Sequence, residues 1–165
     1  MENISQQQAL HVARILEAGK DLVLASIRPD GTPHASTLSY AGKGLRTYCA
    51  ISLDSQKAHD IRHDARVAYV VNAPYCSWTD ISGVAIDARA SMLDERSELA
   101  VAGQLLLAKY PEFSSIISDT AALPWPGMLF IALQPLSISL LDYSKGFGHT
   151  EHFSVAPGGP DQGTP

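Results

Sequence analysis

Cysteine is scarce in this chain of 165 residues: Cys49 and Cys76 are the only two. Their separation fits neither a metal pair nor a redox pair, which excludes a disulfide scaffold and matches reduced core residues of a cytosolic protein. No apolar run approaches the ~20 residues that a membrane span needs. The opening stretch, Met1 to Gln8, is polar and carries no basic-then-apolar leader. A soluble, cytoplasmic protein with no membrane partner is expected. Basic excess is missing too: 12 Lys and Arg stand against 17 Asp and Glu, for a net charge of -5. That composition speaks against general nucleic-acid binding and leaves room for a small anion held by a few local cations. There are no internal repeats and no Ser/His/Asp or Cys/His signature, so no catalytic side chain is identified. What remains is ordinary globular material, 45% hydrophobic and 18% charged, enough for the core of one domain.

Local patterns divide the chain. Ser5 with Gln8 three residues on is a capping box. Ala9, Val12, Ala13 and Leu16 follow at helical spacing up to Gly19, placed as a C-terminal stop. From Asp21 to Arg28 the texture is that of a strand, and Pro29-Asp30-Gly31 is a turn because proline presets φ and glycine accepts φ > 0. Pro33–Ala41 reads as a second strand, Gly42-Lys43-Gly44 as a turn, and Leu45–Ile51 as a third strand, making an antiparallel meander. Ser55 can cap a short helix through His63. Arg66–Asn72 is a strand, and Trp78–Leu93 is a long extended stretch with a bend at Gly83. Asp94 can cap a helix from Glu95 to Lys109, with Leu99, Ala102, Leu106 and Leu107 as its apolar stripe. Pro111–Ser118 reads as a helical turn. Met128–Leu133 and Leu136–Leu141 close the series as two strands split by Pro135. The expected fold is mainly β, an antiparallel β-barrel with peripheral helices, in one domain over 1–153. Residues 154–165, rich in glycine and proline, read as a flexible tail.

Chemistry concentrates where the third strand passes into the short helix, Ile51-Ser52-Leu53-Asp54-Ser55-Gln56-Lys57. A helix N-terminus presents unpaired N–H groups and the positive end of the helix dipole, and so attracts phosphate. Ser52 and Ser55 add hydroxyls, Gln56 an amide and Lys57 a charge. The same residues also make a plain capped surface helix with an exposed lysine.

The stretches IRPDGTPHAS and SQKAHDIRHDARVAYVV resemble the pyridoxamine 5'-phosphate oxidase-like FMN-binding split barrels over roughly Leu22 to Ala73. In that family a strand, a PDG-type turn and a second strand carry the flavin ring on their backbone, and a Ser-Arg-Lys-Ala element at a helix start binds the FMN phosphate. The resemblance implies a split barrel of the FMN-binding type, with Ser36, Thr37, Leu38 and Ser39 along the isoalloxazine, and Ser26, Ile27 and Arg28 close by. It places Ser52, Ser55, Gln56 and Lys57 at the phosphate. It also implies a homodimer with the cofactor at the subunit interface. Gln56 departs from the family's arginine and gives up a bidentate phosphate fork. The arginine-rich C-terminal motif of the true vitamin B6 oxidases is absent; DYSKGFGH stands instead. The implied function is therefore FMN binding, as a flavin-dependent oxidoreductase acting on a small molecule, and not as a true pyridoxamine phosphate oxidase.

Two alternatives stay open. Some split-barrel relatives bind haem, and His149 and His152 in GFGHTEHF could ligate iron, against a reading as exposed polar residues. A cofactor-free relative with a structural or sensing role is the other. Trp78 and Trp125 read as core packing. Arg28 reads as a solvent-facing strand end, and Asp94, Glu95 and Glu98 as the acidic first turn of a helix.

Overall fold

The structure, a computed structural model, describes residues 1–156. Helix α1 spans Gln6–Ala18 and starts as its sequence dictates: Ser5 Oγ accepts from Gln8 N at 3.3 Å, and Gln8 Oε1 accepts from Ser5 N at 2.9 Å. It buries Ala9, Val12, Ile15 and Leu16. Gly19 ends it, but at φ -65°, ψ 142°. The expected left-handed stop is not formed. Glycine is required here by proximity, since a Cβ would lie 2.3 Å from Val71 Cγ1 and 2.6 Å from Tyr40 Oη.

The meander follows as β2 (Leu22–Ile27), β3 (Pro33–Leu38), β4 (Ala41–Lys43) and β5 (Arg46–Ser52). Gly31 (φ 85°) and Gly44 (φ 61°) supply the left-handed turn positions. Then come α2 (Gln56–His63), β6 (Arg66–Asn72), a 3₁₀ turn at Trp78–Asp80, β7 (Ser82–Met92), α3 (Arg96–Lys109) and α4 (Phe113–Ile116). The last strands are β8 (Met128–Asp142) and β9 (Thr150–Ser154), and Glu2–Asn3 forms a short β1. The hydrogen-bonded order is β1-β9-β8-β7-β6-β2-β3, with β5 also on β8 and β4 on β5. Every pairing is antiparallel except β1 with β9. β3 and β4 are consecutive in the chain yet unpaired, so the sheet curls without closing. This is a mainly β, antiparallel split barrel with peripheral helices.

Two apolar clusters follow from the curl. Inside lie Leu22, Leu24, Cys49, Tyr69, Ile86 and Ile138 with the inner side of α1. Outside β5 and β8, α3 covers Tyr48, Phe130 and Trp125 with Leu99, Ala102 and Leu106. Leu107 is only half-buried. Arg46 Nη2 reaches Glu98 Oε1 at 2.8 Å and ties β5 to α3. At the end of that helix, Lys109 Nζ lies 3.7 Å from the Tyr40 ring centroid.

Several local readings are corrected. Pro135 does not split a strand: β8 runs through it, because a register shift at Asp87/Ala88 puts Ala88 opposite Pro135 and Asp87 opposite Ser137. A bulge there accommodates the missing N–H. Gly83 is not the bend; it pairs with Asn72, whose Oδ1 would meet an added Cβ at 2.5 Å. Glu95, not Asp94, is the N-cap of α3, and its side chain makes no capping bond. Cys76 is exposed, unlike the buried Cys49, whose thiol burial pushes up to about 12. Trp125 is core, but Trp78 is 57% exposed. Ser154, placed at the start of the tail, is instead the last residue of β9: its carbonyl accepts from Ile4 N at 3.0 Å. Residues 157–165 of that segment lie outside the described residues.

Candidate functional site

The open seam of the barrel lies along β3, which among the described residues pairs with β2 alone. Half of its N–H and C=O groups therefore face away from any strand partner. Alternation puts the Ser36 and Thr37 side chains on opposite faces: Thr37 is exposed, while the Ser36 Oγ is buried and without a hydrogen-bond partner among the described residues. Leu38 is buried in the core, and Ser39 is half-buried just beyond the strand. These residues share a strand edge rather than a side-chain cluster, so what they offer jointly to a ligand is backbone.

Helix α2 stands beside this seam and packs on β2. Its N-cap Ser55 accepts from Ala58 N at 3.4 Å and donates to Ser52 O at 2.7 Å. Ser55 is thus partly committed to the turn. Ser52 ends β5 and is exposed, and Lys57 is half-buried and outside every ion pair among the described residues. Gln56 turns back along the helix, and its Nε2 donates to Asp60 Oδ1 at 2.8 Å.

Asp60 was missed in the sequence. Its side chain is 0% exposed, and it gathers Gln56 with two strand residues: Ser26 Oγ donates to its Oδ2 at 2.7 Å, and His34 Nδ1 lies 2.8 Å from the same oxygen. Ser26 and His34 are cross-strand partners in β2 and β3, so one carboxylate joins α2 to both strands of the hairpin. Burial pushes the Asp60 carboxyl up, but the hydrogen bonds from Gln56, Ser26 and His34 outweigh it and hold it below its ordinary value. A signal was available: Asp60 falls between the inward Ala58 and Ile61, where a lone carboxylate is not tolerated.

The other expected residues stand apart. Arg28 Nη1 donates to Pro33 O at 3.2 Å and braces the hairpin turn. His149 Nε2 lies 3.2 Å from Glu151 Oε1, and His152 Nδ1 lies 2.9 Å from Ser139 Oγ. Beside them Trp78, Tyr143 and Phe147 form an exposed ring cluster, with Trp78 and Phe147 stacked at 5.1 Å. Among the described residues no group of three or more His, Cys, Asp and Glu is arranged to hold a metal ion. On the outer sheet face, a groove of about 380 Å³ is floored by Ala25, Ile27, Ala68 and Leu136, with Arg66 and Asp87 alongside.

A family model described as pyridoxamine 5'-phosphate oxidase matches residues 11–124. The chain belongs to that family. Among solved structures, a haem binding protein from Mycobacterium smegmatis superimposes with a TM-score of 0.73 at 19% identity, covering 92% of this chain and 60% of that one. The chain thus spans about three fifths of that relative. Rv2991 from Mycobacterium tuberculosis matches over 93% of both chains, with a TM-score of 0.70 at 21% identity. HutZ, the haem storage protein from Vibrio cholerae, matches with a TM-score of 0.61 at 18% identity, over 76% of this chain and 88% of its own. At these identities the likeness defines the fold alone. No curated protein matches the sequence. No helix among the described residues is long and apolar enough to cross a membrane.

Proposed function

We propose that the chain binds FMN at the open seam beside β3, with the phosphate at the start of α2 and the ring along the β3 backbone. In this reading it is a flavin-dependent oxidoreductase for a small molecule, cytoplasmic and homodimeric. The observation that carries it is the free edge of β3 with a buried Ser36 Oγ on that strand that has no hydrogen-bond partner among the described residues. A buried hydroxyl without a partner costs about 1–3 kcal/mol, and a phosphate or ribityl oxygen would relieve it. When bound, FMN would supply hydride or electron transfer. The chain's own part is to hold and orient: Lys57 and the α2 N–H groups bind the anion, and Ser52, Ser55 and the backbone at Ser36–Ser39 offer hydrogen bonds.

Dimerisation is supported by the outer face of the sheet. Val23 is 44% exposed and Val70 41%, directly opposite each other on β2 and β6, with no helix over them. A second copy would cover this strip and the adjoining groove through one self-complementary patch.

The test is a flavin titration with light scattering on the same samples. The parent is expected to be a dimer that quenches FMN fluorescence on binding. Lys57→Ala is expected to weaken FMN by about 1–3 kcal/mol, the scale of one charge-assisted hydrogen bond. Unchanged affinity in that variant would remove the phosphate assignment, and a monomer that holds FMN tightly would remove the interface. A haem reading has its own support, in the haem-named relatives and in the exposed Trp78–Phe147 stack near His149. A Soret band on haem addition, lost in His149→Ala or His152→Ala, would favour it over FMN.

A further inference from the structure

Three side chains, Ser26, Gln56 and His34, converge on the Asp60 carboxylate in this fold, and His34 is the one that stands on β3. Asp60 is wholly buried. Ser26, 2% exposed, is buried with it and spends its hydroxyl on Asp60 Oδ2. Gln56 spends its amide on Oδ1. His34 differs: Nδ1 is engaged by the carboxylate, yet the side chain is 19% exposed. An imidazole held through Nδ1–H by a carboxylate has a fixed ring orientation, and its second nitrogen is left for an external group. Among the described residues, His34 is also the only ion-pair partner of Asp60.

The surroundings identify the kind of group. Ser36 lies two residues along β3, on the same face as His34, and its buried Oγ has no partner. Alternate residues of a strand are about 7 Å apart, a span that a tetrahedral anion can bridge with a hydrogen bond of about 3 Å to each side. The first turn of α2 reaches the same place, because Gln56 and His34 bond to the two oxygens of one carboxylate. Gln56 brings no charge, and one of its amide N–H groups is committed to Asp60.

We propose that His34 is a phosphate-specificity residue of this site: Asp60 fixes the ring through Nδ1, and Nε2 hydrogen-bonds a phosphomonoester oxygen beside Ser36 Oγ. The ring then bridges the buried carboxylate and the phosphate, supplying a contact from β3 where Gln56 brings no charge from α2. Asp60 is then a positioning residue. This inference rests on the FMN reading above and assigns the phosphate contact within it to a particular side chain.

FMN and riboflavin differ only in the phosphate, so the ratio of their dissociation constants isolates the contact. Fluorescence titrations of both flavins would compare the parent with His34→Gln and Asp60→Asn. Glutamine at 34 can still donate to Asp60, and thermal melts would verify that each variant folds. His34→Gln is expected to weaken FMN by about ten-fold or more and to leave riboflavin unchanged. Asp60→Asn is expected to shift the ratio in the same direction by less. If His34→Gln keeps the parent's ratio, or weakens both flavins equally, the residue is structural and the inference is overturned while the FMN reading stands. If the parent binds neither flavin, the FMN reading fails and the inference with it.

Discussion

Replacing Gly19 by alanine probes how closely α1 approaches the barrel. The backbone at this position is ordinary, φ -65° and ψ 142°, so alanine meets no conformational penalty. By itself it would stabilise by about 0.4–1 kcal/mol through the unfolded chain. The obstacle is space. The new methyl would lie 2.3 Å from Val71 Cγ1 and 2.6 Å from Tyr40 Oη, side chains that are 1% and 0% exposed. Valine has little freedom to turn away. The Tyr40 hydroxyl is pinned by its bonds to Leu16 O at 2.5 Å and Gly19 O at 3.2 Å. Overpacking of this kind costs about 1–3 kcal/mol, and displacing the tyrosine hydrogen bond adds about 1 kcal/mol. After the unfolded-state gain, a net loss of about 2–3 kcal/mol is expected, or a fall in Tm of about 5–10 °C for a chain of this size. Urea and thermal melts followed by circular dichroism would measure it. Gly42→Ala is the control, since the nearest atom to its added methyl would be Arg46 O at 3.7 Å, and little change is expected there. The cost of Gly19→Ala should also shrink in a Val71→Ala background, which removes one clashing atom. A Gly19→Ala variant as stable as the parent would refute the close approach.

Two further outcomes follow from the same contacts. The Asp60 carboxyl is held below its ordinary value of 3.8 in the folded protein. Its contribution to stability is therefore complete above that pH and is lost as pH falls below it. Asp60→Asn is expected to cost about 1–3 kcal/mol at neutral pH, because an amide keeps only one of the two acceptor oxygens shared by Gln56, Ser26 and His34, and thermal melts should show parent and variant converging in acid; a constant gap would count against the network. Ending the chain after Ala156 keeps the bonds from Ile4 N to Ser154 O and from Val155 N to Leu136 O, and Tm should not change. Ending it after Phe153 removes both and releases β1, so Tm should drop by a few degrees; equal melts for the two truncations would show that β1 contributes nothing.

Much of this protein was legible locally. The capping box at Ser5 and Gln8, the Pro29-Asp30-Gly31 turn and the start of α2 at Ser55 each depend on residues within four positions of one another, and short-range sterics and hydrogen bonds suffice to specify them. The strand texture of Asp21–Arg28 and the stripe of α3 likewise announced a β-rich domain with covering helices. Long-range partners decided the rest. β1 exists because Glu2 meets Phe153 and Asn3 meets Ser154, and nothing near either segment in the chain encodes that pairing. Pro135 stays inside β8 because β8 itself bulges beside it, at Leu136, against Asp87 and Ala88 of β7. Gly19 is a glycine because Val71 and Tyr40 arrive from elsewhere in the chain, not because its own φ demands it. The candidate site shows the same division. Ser55, Gln56 and Lys57 could be read as a helix start, but Asp60 looked like one more polar residue on an exposed helix. Only the packing of α2 against the β2–β3 hairpin buries it and brings Ser26 and His34 to its Oδ2, while Gln56 bonds its Oδ1 along the helix. A buried charge takes its meaning from groups distant in sequence, because a carboxylate out of water must be satisfied by whatever the fold brings to it.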